Sequence, residues 1–207
     1  MLSPDVLFAF FAASLLLGVA PGPDNIFVLT QSAVHGAGAG GATTLLGLVT
    51  GLCVHTIAVA LGVAVLLQSS PVAFAVLKAA GAAYLLYLAR LSFRAGSLPA
   101  GGGSAPFPGY GALYRRGIVI EHNQPEGYPF FLAFLPQFCD PARSSVALQV
   151  LCLGSLFIAA TILMFFAVAA LGGRLAVRFN RCPRCQVFVH RLAGMVFAGL
   201  AVFLLVS

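Results

Sequence analysis

The chain has 207 residues, of which 60% are hydrophobic and only 8% charged. A soluble domain carries about a quarter charged residues, so this chain could not cover a water-facing surface, and the same balance excludes disorder. The net charge of +6 comes from ten Arg and one Lys against five acids. Because the basic residues lie in short stretches between apolar runs, that excess reads as orientation in a membrane rather than as a nucleic-acid surface.

Spanning a bilayer takes about 20 apolar residues, and six stretches qualify, which predicts an all-α polytopic membrane bundle of six transmembrane helices. The first covers residues 6–33 and is broken by Pro21-Gly22-Pro23-Asp24-Asn25. No Lys or Arg lies in residues 1–5 and no small-residue cleavage site follows before Pro21. This run is therefore expected to stay in the mature protein rather than leave as a signal peptide. The second stretch, 42–67, holds Gly47, Gly51 and His55, and the third, 72–91, has Lys78 near its outer end. Residues 95–110 read as a flexible linker rich in Gly, Pro and Ser. The fourth stretch, 111–139, is broken by Glu121-His122-Asn123-Gln124-Pro125-Glu126-Gly127. The fifth is 145–171, and the sixth, 187–206, follows a basic loop containing Cys182-Pro183-Arg184-Cys185. Five Cys is an odd number, so no disulfide framework is expected. A metal site needs about four ligands, and only His190 is near that CxxC, so its sulfurs are expected to be bystander thiols and no metal site is assigned.

The linker divides the chain into a first repeat at about 1–94 and a second at about 111–207 within a single transmembrane domain, 1–207. Each half has three stretches, and in each the first is the broken one. Three is odd, so the second half enters from the opposite side, giving two inverted three-helix repeats. Corresponding Gly/Pro breaks in inverted halves point to a transporter site near the midplane. The Arg count sets the orientation. The connections after the first, third and fifth stretches hold Arg90, Arg94, Arg115, Arg116, Arg174, Arg178, Arg181, Arg184 and Arg191, against Lys78 and Arg143 on the other side. That places the long loops in the cytoplasm and both termini outside.

Pro21, Pro23 and Pro125 lack N–H groups, so each break leaves helical carbonyls without partners. In lipid these must face protein, water or a ligand. Half-helix N-termini suit a carboxylate, while freed carbonyls suit an ammonium or a cation. An amino acid presents both charges. Prolines could merely kink two helices, but that does not explain why Asp24, Asn25, Glu121, His122, Asn123, Gln124 and Glu126 gather at those same breaks. A carboxyl group held away from water is costly as the anion, which suits Asp24, Glu121 and Glu126 to carry a proton. His55, alone among apolar residues, is expected to be a satisfied core polar group. The spacings Gly18/Gly22 and Gly47/Gly51 fit tight helix packing or dimerisation.

Taken together, Pro21-Gly22-Pro23-Asp24-Asn25, Gly47-Leu48-Val49-Thr50-Gly51, Leu77-Lys78-Ala79-Ala80-Gly81 running to Tyr84, and Phe130-Phe131-Leu132-Ala133-Phe134-Leu135-Pro136-Gln137-Phe138 with Asp140-Pro141 make a chain that resembles the LysE/RhtB family of lysine and homoserine/threonine efflux proteins. The resemblance runs in order over nearly the whole chain. It implies an exporter of amino acids or close derivatives in the bacterial inner membrane, driven by the proton gradient and compatible with a homodimer. No enzymatic activity, cofactor or nucleic-acid partner is implied. The helix-break residues Pro21, Gly22 and Pro23, with Asp24 and Asn25, match the family without change. The fourth stretch departs. The family usually reads G-x-x-x-N-L-x-N-P-K there, and this chain has Gly117 followed by Glu121, Gln124, Pro125 and Glu126 at the marked positions. The helix-breaking Pro125 is kept, one cation is lost and two acids are gained, which favours a cationic amino acid or amine, or adds a second titratable group. The expected partners are thus a small amino acid or amine, protons and the lipid bilayer. The main rival reading is a divalent-cation exporter, for which Asp24, Glu121, His122 and Glu126 offer ligands. A membrane thiol-redox enzyme would need paired Cys at the breaks, and none is there.

Overall fold

The computed structural model describes residues 2–18, 23–69, 71–96, 106–123, 128–140, 142–170 and 182–206. Every regular element among them is helical. In chain order they are α1 (Pro4–Gly18), α2 (Pro23–His35), a π-helical turn (Ala37–Ala42) running into α3 (Thr43–Ser69), α4 (Pro71–Arg94), α5 (Tyr110–Asn123), α6 (Tyr128–Phe134) continued by a 3-10 turn (Leu135–Phe138), α7 (Val146–Ala170) and α8 (Pro183–Val206).

Among the described residues, four stretches are long and apolar enough to cross a membrane: Ala37–Gly62, Ala75–Arg94, Val146–Ala167 and Pro183–Val206. The two stretches expected to be broken each carry two shorter helices instead, α1 with α2 and α5 with α6. Pro23 is the first residue of α2, the position where a missing N–H costs a helix least. Pro21, Gly22, Gln124, Pro125 and Glu126 lie outside the described residues.

Two features were not expected. The chain turns from α2 into α3 through Gly36, at φ 85°, and the π-helical Ala-Gly-Ala-Gly-Gly-Ala run. Here Gly40 sits against the carbonyl of Gln31, where a Cβ would not fit. Cys182 and Cys185, expected as separate thiols, are joined as a disulfide at the start of α8. One helical turn brings their Cα atoms to 5.3 Å, within the reach of such a bond.

Burial is built on Phe rings and on glycine. Phe10 of α1 stacks on Phe134 at 5.2 Å, Phe134 stacks on Phe130 at 4.8 Å, and Phe131 meets Phe157 of α7 edge-on at 4.9 Å. These rings tie the two interrupted stretches to α7. On the other side of the bundle α3 and α5 pack backbone to backbone. A Cβ on Gly47 would lie 3.0 Å from Gly117 Cα and collide with the Tyr114 carbonyl oxygen, and a Cβ on Gly117 would lie 2.6 Å from the Thr44 carbonyl oxygen. The Gly47/Gly51 spacing thus serves contact within the bundle, as small residues do between membrane helices. The turn before α7 is locked by the buried Gln149, whose Nε2 donates to the carbonyls of Asp140 (2.7 Å) and Ser144 (3.0 Å) while its Oε1 accepts from the Asp140 amide (2.9 Å).

Candidate functional site

The α3–α5 seam positions the buried acid. Gly47, Gly51 and His55 recur every fourth residue along α3, so they share one helical face. Gly47 lets the α5 backbone close in, and one turn further Gly51 leaves room for Glu121: a Cβ on Gly51 would lie 2.6 Å from Glu121 Cγ. A turn beyond that, His55 Nδ1 faces Glu121 Oε1 at 3.7 Å. Both side chains are withdrawn from the surface, His55 at 3% and Glu121 at 6% exposure. The separation is that of a charge pair and too long for a hydrogen bond, and His55 Nδ1 has no hydrogen-bond partner among the described residues. The expectation that His55 is a satisfied core group is therefore corrected.

Aromatic rings complete the surroundings of His55. His122 of α5 lies 5.9 Å away by ring centroids, Tyr128 of α6 at 6.0 Å and Phe131 at 6.3 Å. On the other side of Gly51, the Thr50 hydroxyl lies 3.0 Å from that of Tyr114. His122 and Asn123, at the end of α5, are exposed, unlike their neighbour Glu121. The fourth-stretch break therefore has a buried acid turned to α3 and two polar groups turned outward.

At the first break, Asp24 lies half-buried in the opening turn of α2, where the helix dipole favours negative charge. Asn25 is buried, and its Nδ2 donates to the Gly18 carbonyl at 3.2 Å. It thus caps the freed end of α1 across the interruption. Below Asp24, Val28 packs with Leu48 of α3 and Phe165 of α7, with Leu45 and Ile120 against them. That small core joins the head of α2 to the seam that carries Glu121.

The structure thus brings Glu121 and His122 together with His55, and joins α2 to the same seam. Gln124 and Glu126 are not among the described residues. Sequence reasoning undervalued His55. The signal was available in its spacing, two turns from Gly47 and one from Gly51, on a face that must meet another helix closely. No group of three or more His, Cys, Asp or Glu among the described residues is placed to hold a metal ion.

Apolar helices of spanning length, two stretches that each carry a pair of shorter helices, and a buried acid–histidine contact between α3 and α5 fit a multi-pass membrane protein. The chain matches the LysE type translocator family over residues 15–207 and belongs to it. It is therefore a transporter and not an enzyme. It is 35% identical to a homoserine/homoserine lactone efflux protein of Salmonella typhi over 190 residues, 92% of this chain and 91% of that one. The protein of the same description in Salmonella typhimurium is 34% identical over the same shares. An uncharacterized membrane protein of Vibrio cholerae is 27% identical over 96% of each chain. No solved structure matches the chain.

Proposed function

We propose that this protein exports an amino acid or a closely related amine across the bacterial inner membrane in exchange for protons, with both termini on the periplasmic side. The observation that carries this reading is the buried Glu121 at the end of α5, on a seam that Val28, Leu48 and Ile120 join to the helix opening Pro23-Asp24-Asn25, in a chain whose relatives are named for efflux of homoserine and its lactone. Asp24 and Asn25 contact the substrate ammonium or the proton. Glu121 supplies the opposing acid, and His122, Asn123, Gln124 and Glu126 are the further candidates that the sequence puts at the same break. The whole of 1–207 acts as one domain of two inverted repeats, 1–94 and 111–207, around the 95–110 linker.

The pairing of helices supports the repeats. The first stretch packs on the fifth (α1 and α2 on α7) and the fourth on the second (α5 and α6 on α3). The third packs on the fourth (α4 on α6) and the sixth on the first (α8 on α1). The second meets the fifth (α3 on α7) and the third meets the sixth (α4 on α8). Exchanging the two halves maps each of these pairings onto another or onto itself, as a two-fold axis between repeats requires.

The test is a counterflow screen in proteoliposomes with homoserine, homoserine lactone, lysine, threonine and leucine, alongside Cd²⁺ and Mn²⁺. Saturable counterflow of at least one of the amino compounds is expected. Flux of the metal ions alone would replace this reading with the cation-exporter one.

A further inference from the structure

We propose that His55 and Glu121 form a single proton-holding pair, and that His55 is the positioning residue that couples proton release to substrate binding. This rests on the proton-exchange reading above and names the groups that perform it.

A carboxylate in a low-dielectric interior must be neutralised or paired. Glu121 is buried, and the cation-forming side chain recorded against it is His55, across the seam at 3.7 Å. With one proton, the pair is neutral in total, whether written as acid with imidazole or as carboxylate with imidazolium. With none, it leaves a buried anion. An arriving ammonium group restores neutrality in place of that proton. One proton leaves as one ammonium enters, so the buried charge stays constant through the exchange and neither step exposes an unpaired ion.

The local geometry fits this use. His55 Nδ1 faces Glu121 Oε1 and has no hydrogen bond among the described residues. The 3.7 Å gap lies just beyond hydrogen-bond distance, so a small closure makes the bond and a small opening frees the carboxylate. Gly51 holds Glu121 close, since a Cβ there would lie 2.6 Å from its Cγ. The other titratable groups recorded against His55 are His122 of α5 and Tyr128 of α6, with centroids at 5.9 and 6.0 Å. Both are exposed. A histidine that only packs would need none of this.

The experiment compares two readouts on the same reconstituted protein: counterflow, which needs no net proton movement, and accumulation driven by an imposed pH gradient. The probe is whichever amino compound the screen above identifies. His55→Gln keeps similar length and a hydrogen-bonding end but cannot take a proton. Gradient-driven flux should fall by about tenfold or more, a larger loss than that of counterflow, and its pH profile should flatten. Retention of gradient-driven flux with a wild-type pH profile would overturn the proposal. If His55→Gln loses both readouts, Glu121→Gln and the double variant decide. A double variant no worse than the singles keeps the pair as one unit, and additive losses refute it. A wild-type protein that counterflows but ignores the pH gradient fails at the earlier step, the proton exchange itself.

Discussion

The closest approach between α3 and α5 gives the most discriminating stability test. Gly47→Ala adds one methyl group where the neighbours are backbone: the Tyr114 carbonyl oxygen, Gly117 Cα at 3.0 Å and the Ile118 amide at 3.1 Å. None of these can rotate aside, so α3 and α5 must separate until the contacts are ordinary. Opening such a gap by 0.5–1 Å forfeits about a quarter to a half of each contact's attraction along the seam, and forced overpacking of this kind costs about 1–3 kcal/mol. The upper part of that range is expected, because the obstruction is backbone. Gly199→Ala is the control. A Cβ there meets nothing within 4 Å, and alanine is the better helix former by about 1 kcal/mol, so stability should hold or rise. Unfolding of the two purified variants and the parent in one detergent, by heat and by denaturant, ranks them. Gly47→Ala as stable as the parent would refute the backbone-to-backbone seam, and with it the placement of Glu121 against His55.

Asp24→Asn should cut export severely while the protein still folds in the membrane; near-normal flux at matched protein level would reduce Asp24 to a structural part. Asn25→Ala removes the bond to the Gly18 carbonyl and should cost about 0.5–1.5 kcal/mol, read by the same unfolding assays, with an unchanged midpoint counting against the cap. With both termini outside, a C-terminal phosphatase fusion should be active and a C-terminal green fluorescent fusion dark, and the opposite pattern would invert the topology. Cys53, Cys139 and Cys152 are free while Cys182 and Cys185 are bonded, so reduction of the denatured protein should add two maleimide labels; no added label would mean the pair is open.

The broad architecture was legible because it follows from solvent alone. A chain with 8% charged residues has no stable form except with its apolar runs packed together or facing lipid, and four of those runs carry a helix of spanning length among the described residues. The start of α2 was legible for a local reason: Pro acts on the backbone of its own turn, and α2 does begin at Pro23. The π-helical turn was not legible. Ala-Gly-Ala-Gly-Gly-Ala reads as a loop or as helix by propensity, and what selects the wider coil is the packing of Gly40 on the Gln31 carbonyl. The Cys182–Cys185 bond was missed because the count of five argued from the whole chain, whereas three-residue spacing at a helix start is sufficient geometry for a pair.

The site was half legible, and the division has a physical cause. Periodicity says which residues of one helix share a face, but not which face of which other helix they meet. Glu121 was singled out because an acid in an apolar run is costly wherever it points. His55 is equally costly only if it lacks a partner, and its nearest charged neighbour lies 66 positions away in the chain, since 121 minus 55 is 66. What links them is glycine. Gly47 and Gly51 select the face of α3 that can be approached most closely, Gly117 selects the matching face of α5, and the residues one turn further along each selected face are then forced together. His55 follows Gly51 by four positions, and Glu121 follows Gly117 by four. Two close-packing glycines on facing helices, each followed by an ionisable residue at one helical turn, are a pattern that can be read without coordinates. Here it leads to the one buried acid–histidine contact among the described residues.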